Sequence, residues 1–184
     1  MNLPNILTLL RIVIIPFFTW RFLIGDVVGA IILLLASGFT DFLDGFIARK
    51  FNLITKTGAL LDPLADKLTQ IVVSFCIAYN GFELMWIVFG FLVLKEVFMI
   101  IGGVKLYADD DIVIHAKWYG KVATFVIYLS FYLLILFGGI MHDNVKLVII
   151  VTALGFSLLA FINYFIQFLN IQKKILKVKE WELL

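Results

Sequence analysis

Six apolar stretches alternate with short polar breaks along the chain: Ile6 to Gly25, Val27 to Lys50, Gly58 to Tyr79, Phe82 to Tyr107, Trp118 to Gly139 and Lys146 to Asn170. Each is long enough to cross about 30 Å of hydrocarbon, which takes roughly 20 helical residues. Neither a triplet nor a heptad period is sustained, which removes collagen-like repeats and coiled coils. The breaks are Asp26, Phe51 to Thr57, Asn80-Gly81, the acidic Ala108 to Ala116 segment, and Ile140 to Val145. None is long enough to divide the chain. The pattern predicts one all-α integral membrane domain over residues 1–184, a bundle of six transmembrane helices with short loops, ending in a basic tail over 171–184.

Composition sharpens this. Of the 184 residues, 63% are hydrophobic and 15% are charged, whereas soluble domains run at about 45–50% and about 25%. Too little polar surface remains to cover a soluble globule, so the bilayer is the natural solvent. Cys76 is the single cysteine and sits in the apolar run Ile71 to Ala78, so it forms no internal disulfide and packs as a small hydrophobe. The opening Met1-Asn2-Leu3-Pro4 lacks the basic region and small-residue cleavage site of a signal peptide, and the first segment is expected to be kept.

Basic residues set the expected orientation. With the N-terminus inside, Arg11, Arg49, Lys50, Lys56, Lys67, Lys105, Lys117, Lys121, Lys173, Lys174, Lys177 and Lys179 share one side, against Arg21 and Lys146 on the other. Both termini are therefore expected in the cytoplasm. Trp20 and Trp86 then fall at outer helix ends and Trp118 at an inner one, where indoles prefer to sit. The tail carries four lysines and Trp181 and is read either as an amphipathic segment on anionic lipid or as a solvated extension.

Against this apolar background four carboxylates stand out: Asp41 and Asp44 in the second stretch, Asp62 and Asp66 in the third. A charge inside a spanning helix costs roughly 2.5–3.5 kcal/mol at the bilayer centre and less near its ends. Pairing with Arg49, Lys50 and Lys67 is the plainest compensation, but Arg49 and Lys50 can snorkel to the interface and need no partner. Spacing offers a sharper reading, because i,i+3 and i,i+4 place each acid pair on one helix face. At 1.5 Å per residue Asp41 lies about 13 Å from Lys50 and Asp66 about 12 Å from Gly58, so both pairs are expected at similar depth. Four converging carboxylates call for cations, and oxygen ligands alone favour Mg²⁺, Mn²⁺ or Ca²⁺. Two such ions balance four acids and clamp phosphate oxygens during an in-line displacement. Gly45, Ala48 and Gly58 leave room for a bulky polar ligand, Arg49 is placed to donate to phosphate, and Pro63 frees the Ala59 carbonyl and bends its helix. Singly, each of these also reads as a helix-contact residue, a positive-inside marker or a tolerated kink.

The run Asp41-Phe-Leu-Asp44-Gly45-Phe-Ile-Ala48-Arg49, then eight residues, Gly58, three residues, Asp62, three residues, Asp66, resembles the signature of the CDP-alcohol phosphotransferases at every fixed position and spacing. The resemblance implies a membrane enzyme that moves a substituted phosphoryl group from a CDP-linked donor to an alcohol and releases CMP. It also implies a homodimer with two divalent cations, Mg²⁺ or Mn²⁺, and no nucleic-acid partner. It makes Asp41, Asp44, Asp62 and Asp66 the metal ligands, Asp66 also the general base for the acceptor hydroxyl, and Gly45, Ala48, Arg49 and Gly58 the holders of the CDP moiety.

Within the family, Asn2-Leu3-Pro4-Asn5-Ile6-Leu7-Thr8 with Arg11, and Leu61-Asp62-Pro63-Leu64-Ala65-Asp66-Lys67, are most similar to the phosphatidylglycerophosphate synthases. These join CDP-diacylglycerol to glycerol 3-phosphate in phospholipid biosynthesis, which implies a bacterial plasma-membrane enzyme whose site opens to the cytoplasm. Cardiolipin synthases share the Asp-Pro-Leu-Ala-Asp-Lys run, so phosphatidylglycerol is the alternative acceptor. Gly120-Lys121 through Thr124 resembles a Gly-Lys-x-Lys-Thr segment with Ala123 at its second lysine, and Gly102-Gly103 replace an arginine usual there, with Lys105 nearby. Arg11, Lys95, Lys105 and Lys121 are the expected cations for an acceptor phosphate.

Lys95 and Glu96 fall mid-helix and are expected to face the cavity rather than close an internal ion pair. His115 is read as a loop residue, His142 as an inert outer-loop residue, and Asp109-Asp110-Asp111 as a solvated face. A cation transporter is the competing class, but it predicts acids near the midplane and inverted repeats. Here the acids cluster toward one side, and the first three stretches do not resemble the last three.

Overall fold

The computed structural model describes residues 3–51, 56–110 and 118–182, with the side chains at 3–5, 45, 48, 49, 56–60, 102–110, 119 and 173–182 outside that description. Among the described residues six helices follow in order: α1 (Leu3–Leu23), α2 (Val27–Lys50), α3 (Lys56–Tyr79), α4 (Met85–Asp110), α5 (Trp118–Phe137) and α6 (Asp143–Glu182). Among the described residues there is no strand. The shortest helix has 20 residues, enough to span about 30 Å. Those of α1, α2, α5 and α6 are long and apolar enough over their described residues to cross a membrane.

The expected stretches match these helices to within three residues at every end except the C-terminal end of α6. Helix α4 starts at Met85 rather than Phe82, because Gly81 turns the chain at φ +96° and the N–H groups of Met85, Trp86 and Ile87 first bond back three residues, to Phe82, Glu83 and Leu84. It then continues through Asp110, so Asp109 and Asp110 belong to a helix and not to a loop, while Asp111 and His115 lie outside the described residues. Helix α6 runs on past Asn170 to Glu182, so the backbone of the tail prolongs the last span without a break.

Local chemistry fixes the tight α1–α2 turn. Gly25 takes φ +81°, a conformation open to glycine at little cost. Asp26 then caps α2, accepting from the Gly29 N–H at 2.8 Å, and pairs with Arg21 at 2.8 Å. Replacing a cap acceptor costs about 1 kcal/mol. Asp26→Ala is accordingly expected to lower the thermal unfolding midpoint in detergent, with Asp26→Asn recovering the part due to the cap. A midpoint unchanged by Asp26→Ala would show that the cap carries no weight.

Helix α3 is the hub: α1, α4 and α5 all pack on it, α2 packs chiefly on α1, and α6 on α5 and α4. Phe18, Leu34, Val73, Leu92 and Phe131 meet in the buried centre. The outward surface is as apolar as the centre, with Val28, Phe39, Phe42 and Phe125 each more than 60% exposed. Water would not tolerate that surface, and hydrocarbon does. Three buried hydroxyls are satisfied within their own helices, Thr40 donating to Ser37 O, Thr69 to Ala65 O and Ser130 to Val126 O, each at 2.8 Å, while Ser157 Oγ on α6 finds no partner among the described residues. The molecule is an integral membrane protein.

Candidate active site

The i,i+3 spacing of Asp41 and Asp44 on α2 and the i,i+4 spacing of Asp62 and Asp66 on α3 put each pair on one face, and α1 packs against both helices. Helix α1 brings two buried polar side chains to that junction, Thr8 and Arg11, themselves three residues apart. The Arg11 guanidinium, 2% exposed, donates from Nη2 to Asp44 Oδ2. Its Nη1 stands 2.7 Å from Asp41 Oδ1 as an ion pair out of line for a hydrogen bond. The Thr8 hydroxyl donates to Asp62 Oδ1 and lies 3.4 Å from Asp44 Oδ2. Both acid pairs are thus tied together through α1.

The expectation that the acids lack adequate basic partners is corrected here. Arg11 pairs with two of them, from 30 or more positions away in sequence, where local spacing cannot reveal it. A buried guanidinium between two carboxylates repays much of their desolvation. It also means that Arg11, expected at the acceptor phosphate, is bound to Asp41 and Asp44.

Asp66 is held differently. Gln70 Nε2 donates to its Oδ2 at 3.1 Å and the Tyr128 hydroxyl donates to its Oδ1 at 2.9 Å. Lys67 Nζ is 4.0 Å from Oδ2 and closer, at 3.5 Å, to Glu96 Oε1. The same Glu96 oxygen is 3.0 Å from Lys95 Nζ, so Lys95 and Glu96 do form an ion pair.

A cavity of about 780 Å³ opens on these groups. Asp41, Asp62 and Asp66 line it together with Lys67, Lys95 and Lys121, and Met99, Phe125 and Phe161 give it an apolar wall. Lys95 therefore lines the cavity while paired with Glu96, which is not among the lining residues. Asp44 sits behind the acid wall at 2% exposure. Gly45, Ala48 and Arg49 lie on α2 and Gly58 in the first turn of α3, and Lys105 near the end of α4, with the side chains of these five outside the described residues. Sequence reasoning missed Thr8, Gln70 and Tyr128. A recoverable signal was face-sharing, since Gln70 stands four residues after Asp66, and Tyr128 seven after Lys121 and four after Thr124 on one face of α5.

A carboxylate-only donor set suits a hard divalent cation. The described residues fit that use in chemistry and convergence: three of the four acids open on one cavity and the fourth is one helical turn from Asp41. No three acidic, histidine or cysteine side chains among the described residues are gathered on one point. The acids border a chamber and do not form a closed cage.

Residues 1–164 match the family model described as CDP-alcohol phosphatidyltransferase. The chain belongs to the CDP-alcohol phosphatidyltransferase family. Asp41, Asp62 and Asp66 of the cavity and Asp44 behind them are the acids of the motif that carries the resemblance. Three relatives show the range of similarity. A CDP-diacylglycerol–glycerol-3-phosphate 3-phosphatidyltransferase of Rickettsia bellii is 52% identical over 71 residues, which are 36% of this chain and 39% of the relative. One of the same name from Aquifex aeolicus is 34% identical over 131 residues, 71% of this chain and 73% of the relative. A cardiolipin synthase (CMP-forming) of Streptomyces coelicolor is 30% identical over 148 residues, 76% and 67% of the two chains. This chain thus spans about two fifths of the Rickettsia protein's length and nearly three quarters of the Aquifex protein's.

Proposed function

We propose that this enzyme is a CDP-diacylglycerol–glycerol-3-phosphate 3-phosphatidyltransferase. The carrying observation is a single cavity lined both by the acids Asp41, Asp62 and Asp66 and by the bases Lys67, Lys95 and Lys121. The names of the Rickettsia and Aquifex relatives support the same reading. The donor's diphosphate belongs at the acid wall and the acceptor's phosphate at the lysines, which bring two unlike anions together around one reacting phosphorus. An apolar wall at Met99, Phe125 and Phe161 suits the donor's hydrocarbon.

In this reading Asp41, Asp44, Asp62 and Asp66 hold two divalent cations, Mg²⁺ or Mn²⁺. When bound, these neutralise the diphosphate and the charge that grows on the leaving CMP. Asp66 accepts the proton of the acceptor hydroxyl, whose oxygen bonds to the phosphatidyl phosphorus as the bond from that phosphorus to CMP breaks. Arg11 keeps Asp41 and Asp44 on one side of the chamber, and Thr8 couples Asp62 to them. Gly45, Ala48, Arg49 and Gly58 hold the CDP moiety. The excess of basic residues on one side, with the N-terminus inside, supports cytoplasmic termini in a bacterial plasma membrane and a site reached from the cytoplasm. A homodimer is the working assembly.

Purified protein incubated with CDP-diacylglycerol and a panel of labelled alcohols, with product lipids separated, tests this directly. Product with glycerol 3-phosphate supports it. Product with phosphatidylglycerol alone overturns it in favour of a cardiolipin synthase, the name carried by the Streptomyces relative.

The lysine wall makes a narrower prediction. A charge-assisted contact to phosphate is worth roughly 1.5–3 kcal/mol. Lys95→Ala and Lys121→Ala are each expected to raise the KM for glycerol 3-phosphate about ten- to a hundredfold, with a much smaller change in the donor KM. Equal changes in both would place these lysines elsewhere in the reaction.

A further inference from the structure

We propose that Tyr128 and Gln70 are positioning residues that hold the Asp66 carboxylate in its working orientation, an inference that rests on the reading of Asp66 as the base. The four acids are not held alike. Asp41 and Asp44 are charge-paired by one buried guanidinium. Asp66 instead receives one neutral donor on each oxygen, the Tyr128 hydroxyl on Oδ1 at 2.9 Å and the Gln70 amide on Oδ2 at 3.1 Å. A neutral donor fixes the carboxylate plane without cancelling its charge.

The arithmetic of lone pairs supports the role. An ionised carboxylate offers about four acceptor sites, and the two donors fill one on each oxygen. One site on each oxygen remains, and Asp66 lines the cavity where a cation and an acceptor hydroxyl are to be met. Gln70 is 1% exposed and lies one turn along the same helix, so its amide has little freedom to swing away. Tyr128 comes from α5, 62 positions away, and its hydroxyl is also 3.5 Å from the Asp66 backbone carbonyl. One turn before it on the same face is Thr124, and another turn back Lys121, both lining the cavity. The helix that brings Lys121 to the cavity therefore also sets the angle of the base. Lys67, at 4.0 Å from Oδ2, is nearer to Glu96 and is a poor substitute for either donor.

Partners one shell removed from a metal or a reacting group typically matter ten- to a hundredfold. Tyr128→Phe is expected to lower kcat by about that factor while both KM values stay within about twofold, and Gln70→Leu to act in the same direction. The decisive measurement is a cycle with Asp66→Asn, reading CMP release and product lipid. If Tyr128 acts through Asp66, adding Tyr128→Phe to Asp66→Asn produces no further loss. The proposal is overturned if Tyr128→Phe keeps the full kcat, if it raises KM in place of lowering kcat, or if it slows Asp66→Asn by the same factor as the wild type. Should Tyr128→Phe fail to fold, judged by its thermal midpoint, Gln70→Leu is carried through the same cycle and decides. A wild type that transfers to no alcohol, or a fully active Asp66→Asn, would instead strike at the functional reading on which the proposal stands.

Discussion

Asp66→Asn is expected to lower turnover by roughly a hundred- to ten-thousandfold, the usual weight of a positioned general base, while donor binding survives in part. The substitution keeps the shape of the side chain, and its single acceptor oxygen can keep one of the two bonds donated by Tyr128 and Gln70. What it removes is a negative charge and the capacity to take a proton. Asp41→Asn is the informative contrast. Asp41 is about half exposed to the cavity and paired with Arg11, so its loss is expected to weaken cation and donor binding together rather than the chemical step alone. Turnover from CMP release, set beside equilibrium binding of the donor, separates the two. If Asp66→Asn turns over near the wild-type rate, Asp66 is not the base and water must take the proton.

How much of this could be read from the chain depends on how far apart the interacting residues are. The helices follow from runs of apolar residues, and the two acid faces from i,i+3 and i,i+4 spacing, both local patterns. The partners of those acids are not local. Thr8 meets Asp62 across 54 positions, Arg11 meets Asp44 across 33, and Tyr128 meets Asp66 across 62. Arg11 was legible as a cation for an acceptor phosphate, but whether its anion is a substrate or a carboxylate of α2 depends on how α1 packs. The Lys95–Glu96 adjacency reads as cavity-facing rather than as an ion pair, and the second lysine on the same carboxylate oxygen, Lys67, comes from another helix. The acidic run after α4 shows the limit of reading local charge, since a helix carries on through Asp110 where composition reads as loop.

Exhaustive chelation is expected to stop CMP release altogether, and Mg²⁺ or Mn²⁺ to restore it. The reason is a charge balance around the cavity. Arg11 offsets one charge of the Asp41–Asp44 pair, and Lys67, 4.0 Å from Asp66, is nearer to Glu96, which it shares with Lys95, so four carboxylates face fewer cations than they need. The acid wall thus stays negative before any substrate arrives. Two unit charges of like sign 4 Å apart repel by about 4 kcal/mol at an effective dielectric near 20, and a diphosphate brought against three carboxylates meets several such terms at once. Arg11 cannot reverse them, being committed to Asp41 and Asp44 and 2% exposed, and Lys67 is nearer to Glu96 than to Asp66. Cations from solution must supply the difference. Loss of activity on chelation should therefore appear as loss of donor binding as well as of turnover, and Asp41→Asn should raise the concentration of Mn²⁺ needed for half-maximal rate. Full turnover in the absence of any divalent ion would show that the four acids do not form a cation site, and the protein's own lysines would then have to carry the diphosphate.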